Sequence, residues 1–389
     1  MANTLSFDQI SSVLNQICKQ ATGQNVAAAV DTKSFVAQAQ TTLLSGYDNV
    51  MGAISQVLSR TVFSIRPYDR KFAGLEADSI RWGNHVRKIN YMDSDFEDNQ
   101  MLPLNDGSSV DQYVINKPKV VQTNFYGAQE FQRHYTVFRD QLNHAFQSPE
   151  ELSRFLAGVV QNVTDQRNQA WETLARNTIG NMIGAKIQGD SGNVIHLVTE
   201  YNAYAGTEFT SATIRQPANF PGFVKWMYGR IKTLSQMMTE RTVKFHLNFT
   251  DKPIPRHTPI RNQRIYLYTP EINRIDAQVL ADVYNDEYLR LANHESVNFW
   301  QNAQAPDRLM VKPSYINATG VVVNSSTTTD QSNILGLIFD QEAIGLTEVF
   351  DSMDNSPYNA AGKYYNVYYH WLMRWWNDMT ENCVVLLLD

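Results

Sequence analysis

A Gly-Asp-Ser-Gly segment at residues 189–192 places a serine where an activated nucleophile could stand. Hydrolysis through Ser191 would also need a histidine base, a buried aspartate and an oxyanion hole. The segment directly follows a predicted long helix, and Gly, Asp and Ser are ordinary turn residues. Because so short a motif often occurs by chance, we interpret it as a turn. A soluble hydrolase using Ser191 is kept as an alternative.

Other residue types that do chemistry form no recognisable constellation. The segment from Gly180 to Lys186 has three residues between its glycines and an alanine before the lysine, so it departs from a phosphate-binding loop. Its glycines are expected to let a helix end or another backbone approach closely. The eight histidines are scattered, and the two cysteines lie at opposite ends of the chain. The sequence therefore predicts no catalytic, cofactor-binding or metal-ligating residue.

Two further groups of residues have both a binding and a structural interpretation. Arg256 and Arg261 lie in a proline-rich basic loop with the charge to contact nucleic acid, but we favour a solvated loop or a subunit contact. Tyr369 and Trp371 belong to an aromatic segment whose rings have the chemistry to stack on bases. Aromatic residues at strand spacing more often lie in a core or an interface. We assign all four to structure or assembly.

A long helix with a clear beginning must organise the middle of the chain. Ser148 is the predicted N-cap, Pro149 the first helical residue and Glu151 the partner that completes a capping box. Apolar residues then recur at helical spacing as far as Lys186, and Trp171 lies on this apolar face, where it should anchor the flanking domains. This helix is roughly 55 Å long, whereas a compact domain of about 150 residues is only about 38 Å across. It is predicted to be the backbone of a flat or elongated subunit.

The first third of the chain has the pattern of segments that lack a core. Residues 1–65 form a polar arm with short helical patches, predicted to pack against something larger. Residues 66–140 contain two short strands, near 86–91 and 120–125, joined by a long polar excursion with an Asn105-Asp106-Gly107 turn. A compact domain does not accommodate so long a structureless stretch. We therefore expect the arm and the hairpin to become ordered only on adjacent subunits.

The rest of the chain mixes helices with strands. Residues 141–217 contain the long helix and then a predicted strand over 194–201. Residues 218–345 contain an amphipathic helix over 221–239, a half-buried strand over 243–249, and a further strand and helix after residue 264. This mixture is typical of an α+β domain. Residues 346–389 end in one long aromatic strand, 363–388, whose alternate residues Tyr369 and Trp371 share a face.

Composition argues against several classes of protein. Hydrophobic residues make up 43% of the chain and charged residues 19%, which indicates a folded protein. A net charge of −6 argues against tight nonspecific nucleic-acid binding by the subunit as a whole. Two cysteines favour a reducing cytosol over a disulfide framework. Because no secretory signal and no bilayer-spanning run are visible, we expect an intracellular protein without a membrane partner.

The order of these parts resembles the major capsid proteins of tailed double-stranded DNA phages with the Hong Kong 97 capsid fold. The individual segments most similar to the short-tailed phi-29 type are Lys117-Pro-Lys-Val-Val, Asn124-Phe-Tyr, 275–284 and 364–371. The resemblance implies an α+β fold with the following parts: an N-arm (1–65), an E-loop hairpin region (66–140), a P-domain with its spine helix (141–217), an A-domain (218–345) and a return to the P-domain (346–389).

The resemblance also implies a function. The chain would be a structural major capsid protein that self-assembles as pentamers and hexamers into an icosahedral shell around the phage genome. Scaffolding and portal proteins would be further partners, packaged double-stranded DNA would make weak nonspecific contacts, and no cofactor or enzymatic activity is implied. The protein would be found in the virion capsid after assembly in the bacterial host cytoplasm. An encapsulin-type nanocompartment shell, which resembles the same fold, is the alternative.

Overall fold

The computed structural model describes most of the chain in several stretches. These are residues 7–24, 28–58, 70–77, 85–91, 105–107, 109, 113, 115, 117, 119–249, 254–279 and 294–389. Most of the polar excursion after residue 91, and part of the 275–284 segment, therefore lie outside the described residues.

Eight helices and fourteen strands are found in the described residues. The helices are α1 (Phe7–Thr22), α2 (Thr32–Leu44), α3 (Tyr47–Leu58), α4 (Arg139–Ala145), α5 (Pro149–Gly189), α6 (Leu197–Ala205), α7 (Phe220–Met237) and α8 (Thr269–Val279). The strands are β1 (Val86–Tyr91), β2 (Val120–Phe125), β3 (Ala128–Phe138), β4 (Val194–His196), β5 (Gln263–Tyr268), β6 (His294–Val297), β7 (Leu309–Val311), β8 (Ser314–Ile316), β9 (Val322–Asn324), β10 (Thr329–Gln331), β11 (Ile334–Asp340), β12 (Ile344–Asn355), β13 (Tyr364–Asn377) and β14 (Cys383–Leu387).

The predicted long helix is present as α5, and it extends to Gly189 instead of ending at Lys186. Its 41 residues span about 60 Å. The Ser148 hydroxyl accepts a hydrogen bond from the Glu151 amide at 3.2 Å, and Pro149 occupies the first turn, where its missing N–H leaves no helical bond unmade. The Glu151 carboxylate instead pairs with Arg154 at 3.2 Å. Of the two bonds of the predicted capping box, the one to the Ser148 hydroxyl is therefore the one that is present.

Glycines on α5 allow the β7–β8 segment to lie close against the helix. A methyl group built on Gly180 would stand 2.9 Å from Leu309, and one on Gly184 would stand 2.6 Å from Val311. Between them, the Asn181 side chain donates to the Ser314 carbonyl at 2.9 Å and accepts from its amide at 2.8 Å. These glycines make room for side chains of the β7–β8 segment, where a close approach of another backbone was predicted.

A five-stranded sheet with the order β4-β14-β11-β5-β6 forms the centre of the subunit. Its alternate residues enter two different cores, because successive side chains of a strand point to opposite faces. Leu337 and Val385 face the core that contains α5, whereas Ile338 and Val384 face the core that contains α7. Both faces of this sheet are thus covered by helices, as its nearly continuous apolar strands require.

A three-stranded antiparallel sheet, β12-β13-β3, lies beside the long helix. The predicted final strand is in fact two strands, since β13 ends at Asn377 and a turn precedes β14. The predicted alternation along β13 is confirmed: Tyr365, Val367, Trp371 and Met373 are all buried. β3, which pairs with β13 along its length, was not predicted.

The expectation that the arm lacks a core is wrong for its described residues. Helices α1, α2 and α3 pack together around an apolar cluster that includes Leu14, Phe35 and Met51. The same cluster contains residues of α4, of the first turns of α5 and of β13, including Tyr365. The arm is therefore ordered against its own subunit, because its apolar faces find partners more than 100 residues away in the sequence.

Two strand predictions were also wrong. Residues 243–249 alternate in polarity but form no regular strand, and Phe245 and Leu247 instead bond irregularly to Cys383 and Met379 through their backbone. The strand predicted over 194–201 ends at His196, after which the chain continues as α6. Among the described helices, none has the length and apolarity that crossing a membrane would require.

Candidate assembly surfaces and the hairpin anchor

The β1–β2 hairpin has two faces with different surroundings. The strands are antiparallel, with Tyr91 opposite Val120 and Ile89 opposite Gln122. These residues share one face with Arg87 and Asn124, and all six are exposed. Tyr91 is 70% exposed and Val120 is 54% exposed. The hairpin thus presents an uncovered, partly apolar face, which we call the outer hairpin face.

The opposite face of the hairpin is anchored to the body of the subunit through Lys88. The Lys88 ammonium lies 3.0 Å from Asp378 and 3.2 Å from Glu342, and it also pairs closely with Glu381. Asp378 and Glu381 belong to the turn between β13 and β14, and their side chains are 1% and 7% exposed. Lys88 with these three carboxylates forms what we call the hairpin anchor.

The electrostatics of the anchor follow from burial and from opposite charge. Burial disfavours the charged form of Lys88, but Asp378 and Glu381 outweigh it and raise the pKa of the lysine. Burial also raises the pKa of Glu381, although Lys88 and Arg256 oppose this shift. The lysine therefore stays charged, whereas the ionised carboxylate depends on its basic neighbours.

Arg256 and Arg261, both proposed from the basic loop, have different environments. Arg256 points inward, with its guanidinium 3.3 Å from Glu381 and donating to the Thr380 carbonyl at 3.1 Å. Arg261 is exposed in a short helical turn at Ile260–Asn262. The structure thus places Arg256 beside the hairpin anchor and leaves Arg261 on the surface.

The aromatic residues chosen from the sequence lie in or beside the core. Trp171 is 1% exposed, and the Arg70 guanidinium stands 4.6 Å from its ring centroid. The Trp371 ring stacks on Phe131 at 6.1 Å, and the Tyr369 ring stacks on Tyr135 at 5.8 Å. Each pair joins neighbouring strands of the three-stranded sheet, so the aromatic segment is built into the subunit and not presented as a surface for bases.

The remaining predicted residues occupy turns. Asn105, Asp106 and Gly107 form an exposed turn in which Gly107 has a φ of 85°, a conformation that glycine adopts without strain. Ser191 lies in the short helical turn after α5, and the neighbouring Asp190 binds Lys186 at 2.6 Å and Asn193 at 2.9 Å. His196, the histidine closest in sequence, pairs instead with Asp389 at 2.7 Å.

A cleft of about 1160 Å³ opens between α5, the β2–β3 corner and the β7–β9 segment. Aromatic side chains, including Tyr126 and Trp375, form much of its wall. The Arg176 guanidinium donates to Glu172 at 2.7 Å and lies 3.8 Å from the Phe299 ring centroid and 5.0 Å from that of Phe72. Within the described part of the chain, no group of acidic, histidine and cysteine residues is arranged to hold a metal ion.

The hairpin anchor was missed by sequence reasoning. Lys88 is separated from Glu381 by 293 positions, and neither has a local pattern that marks it as buried. The alternation Val86-Arg-Lys-Ile-Asn-Tyr91 predicts the strand correctly but does not show which face is covered. The only available signal was a lysine on a short strand and two acids in a turn, which is also the pattern of ordinary surface residues.

The chain matches one protein family along almost its whole length. The model of the Phi29-like phage major capsid protein family matches residues 10–387. No curated protein matches the chain. Because the matching family is one of phage capsid proteins, it favours the capsid interpretation over an encapsulin or a Ser191 hydrolase.

Solved structures show the same fold at low sequence identity. A chain of the capsid of Staphylococcus phage Andhra is 11% identical to this chain, with a TM-score of 0.56. The superposition covers 85% of this chain and 87% of the Andhra chain. A chain from the structure of the head fibre and inner core protein gp22 of native bacteriophage P68 is also 11% identical, with a TM-score of 0.54 and the same coverage. The chain belongs to the Phi29-like phage major capsid protein family, and it is a structural protein of the phage shell with the Hong Kong 97-type fold.

Proposed function

We propose that the chain builds a closed icosahedral shell from pentamers and hexamers, in which the outer hairpin face of each subunit lies on a neighbouring copy. The single observation that carries this proposal is the difference between the two faces of the hairpin. One face is held by the buried carboxylates of the hairpin anchor, and the other exposes Ile89, Tyr91 and Val120.

A two-stranded hairpin is marginally stable in water without a further packed surface. Here the anchor supplies that surface on one side, so the hairpin keeps a fixed direction while its outer face stays open. Apolar residues with a polar rim are typical of a protein–protein contact. Since the chain is a capsid protein, a second copy of the same chain is the partner that this face fits.

The proposed division of labour follows the regions identified from the sequence. Residues 1–65 would be the N-arm and 66–140 the E-loop hairpin region; 141–217 and 346–389 would form the P-domain, and 218–345 the A-domain. The docking of α1–α3 on their own subunit leaves the hairpin as the element that reaches neighbours. Packaged double-stranded DNA, portal and scaffolding proteins would be the other partners, and assembly would occur in the bacterial host cytoplasm before the protein enters the virion.

The test is a substitution that removes apolar contact without disturbing the subunit. Replacing Tyr91 and Val120 together by serine should give a folded subunit that no longer forms closed shells. Both side chains are more than half exposed, so the free energy of unfolding of the subunit should change by less than about 0.5 kcal/mol. Negative-stain electron microscopy shows whether shells form, and circular dichroism shows whether the subunit is folded.

The matched control replaces Val321 and Val322 by serine. These residues are 57% and 64% exposed, so the control removes a similar exposed apolar area from another part of the surface. It should still form shells. Normal shells from the Tyr91 and Val120 variant would contradict the proposed contact.

A further inference from the structure

A basic surface lies at the C-terminal end of α7. Two segments, 238–249 and 254–263, fold back against the helix end there. The amide of Thr258 donates to the Met238 carbonyl at 2.7 Å, and Thr242 and Arg256 exchange backbone hydrogen bonds of 2.9 and 2.8 Å. The Gln263 side chain donates to the Ser235 carbonyl at 2.8 Å. These bonds make the three pieces one surface.

The exposed charges on this surface are mostly positive. Lys232 comes from α7, Lys244 from the following segment and Arg261 from the second segment, and all three are exposed. Arg241 is also exposed here, and it already has a contact within the chain. Glu240 is the only acidic residue in residues 232–249 and 254–263. A chain with a net charge of −6 thus has a local excess of positive charge at this end.

The Lys244 ammonium lies 5.7 Å from the ring centroid of the adjacent Phe245, but neither ion pairing nor the helix dipole accounts for these cations. The last turn of α7 contains no basic residue, so Lys232 is not placed to offset the helix dipole. Among the described residues, no carboxylate forms an ion pair with Lys232, Lys244 or Arg261, in contrast to Arg256, which turns inward to Glu381. The acids of the adjoining strand end are already engaged: Asp340 accepts from the Thr258 hydroxyl at 2.7 Å, and Glu342 pairs with Lys88.

We infer that this basic surface binds the phosphate backbone of nucleic acid, a contact that rests on the proposed function and gives the packaged genome a specific place on the subunit. Lys232, Lys244 and Arg261 supply separate positive charges that can each neutralise a phosphate without reading bases. Exposed Val243 and Ile260 lie beside them, so an acidic protein is the competing occupant. The mild negative charge of the rest of the chain keeps the contact local and salt-sensitive.

The test compares two variants with the same total charge. The first replaces Lys232, Lys244 and Arg261 by glutamate; the control replaces Lys19, Lys33 and Lys312, which are also exposed, by glutamate. Dissociated, folded subunits are titrated against fluorescently labelled double-stranded DNA between about 50 and 200 mM salt. Losing three phosphate contacts should lower the slope of log K against log salt by about 2.7, and the control should keep the wild-type slope.

A glutamine triple at the same three positions guards against misfolding, because it removes the charges without adding new repulsion. Its slope of log K against log salt should decrease by the same amount as that of the glutamate triple. An equal loss in the Lys19, Lys33 and Lys312 control, or no DNA binding by the wild type at about 50 mM salt, would overturn the inference.

Electron microscopy of the same variants separates this inference from the proposed function. If the triple variants form normal shells and show the expected decrease in the salt dependence of DNA binding, both proposals are supported. If they bind DNA like the wild type but no longer form shells, the surface contacts an acidic protein and the inference is overturned, whereas shell building is not. If the wild type itself forms no shells, the proposed function fails whatever the DNA result.

Discussion

Replacing Lys88 by methionine should release the hairpin from the body of the subunit. The Lys88 side chain is 19% exposed, whereas Asp378 and Glu381 are 1% and 7% exposed. Methionine keeps most of the apolar stem, so the change leaves two buried carboxylates without their shared cation. Removing one partner of a buried ion pair costs about 3–5 kcal/mol. Because Arg256 stays 3.3 Å from Glu381, we expect the lower end of that range, about 3 kcal/mol.

The assay should follow the hairpin itself. Amide hydrogen exchange of residues 86–91 in dissociated subunits measures how often β1 opens, and a loss of about 3 kcal/mol corresponds to roughly 100-fold faster exchange. The matched control is Arg87→Met on the exposed outer hairpin face, which should change exchange by less than about threefold. A similar effect of both substitutions would refute the assignment of Lys88 as the anchor.

The pH dependence gives a second and independent test. Burial already raises the pKa of Glu381, and losing Lys88 should raise it further. A carboxyl group whose pKa is higher in the folded than in the unfolded state destabilises the fold while ionised, and this loss disappears as pH falls through the folded pKa. The deficit of Lys88→Met relative to wild type should therefore shrink from about pH 7.5 to about pH 5. A deficit that stays constant over this range would show that the carboxylates are not its cause.

Three other outcomes are expected. Trp171→Ala should lower the free energy of unfolding by about 3–5 kcal/mol, because the ring is fully buried; an unchanged urea-unfolding midpoint would contradict this. Gly184→Ala should lower the free energy of unfolding by about 1–3 kcal/mol, because its methyl group would stand 2.6 Å from Val311. Gly158→Ala on the same helix, where no atom lies within 4 Å of the new methyl group, should raise it by about 0.5–1 kcal/mol. Thermal melts that rank the two variants the other way would refute the packing argument. Burial lowers the pKa of His246, so the free energy of unfolding should fall as pH falls below about 6.5. In urea titrations, a His246→Gln variant should lose less stability over this pH range than the wild type. Identical pH profiles would count against a buried neutral histidine.

Local chemistry predicted the elements that carry their own signals. Ser148 and Pro149 mark the start of α5 because a capping hydroxyl followed by a residue without an N–H, ahead of an apolar helical pattern, is typical of a helix N-terminus. Alternation along β13 predicted which side chains are buried, because strand side chains point to opposite faces in turn. The two hairpin strands were predicted with the bounds they have in the structure.

Where several conformations satisfy the same pattern, the predictions were wrong. Residues 243–249 alternate like a strand, but their backbone bonds to Cys383 and Met379 form no regular ladder, and Phe245 and Leu247 reach the core from an irregular segment. The arm was expected to lack a core because its sequence is polar and has only short apolar patches. It has one because three such helices meet α4, α5 and β13.

The sequence by itself predicted the long helix α5, the hairpin strands β1 and β2, the fold class and, through the order of the parts, the family. Only the tertiary structure decided which surfaces are closed and which are open. The Lys88 side chain is only 19% exposed whereas the adjacent Arg87 is exposed, and Arg256 turns inward while Arg261 does not. The physical reason is that burial and charge pairing depend on residues such as Glu381, which is brought beside Lys88 by the path of the chain and not by spacing along it.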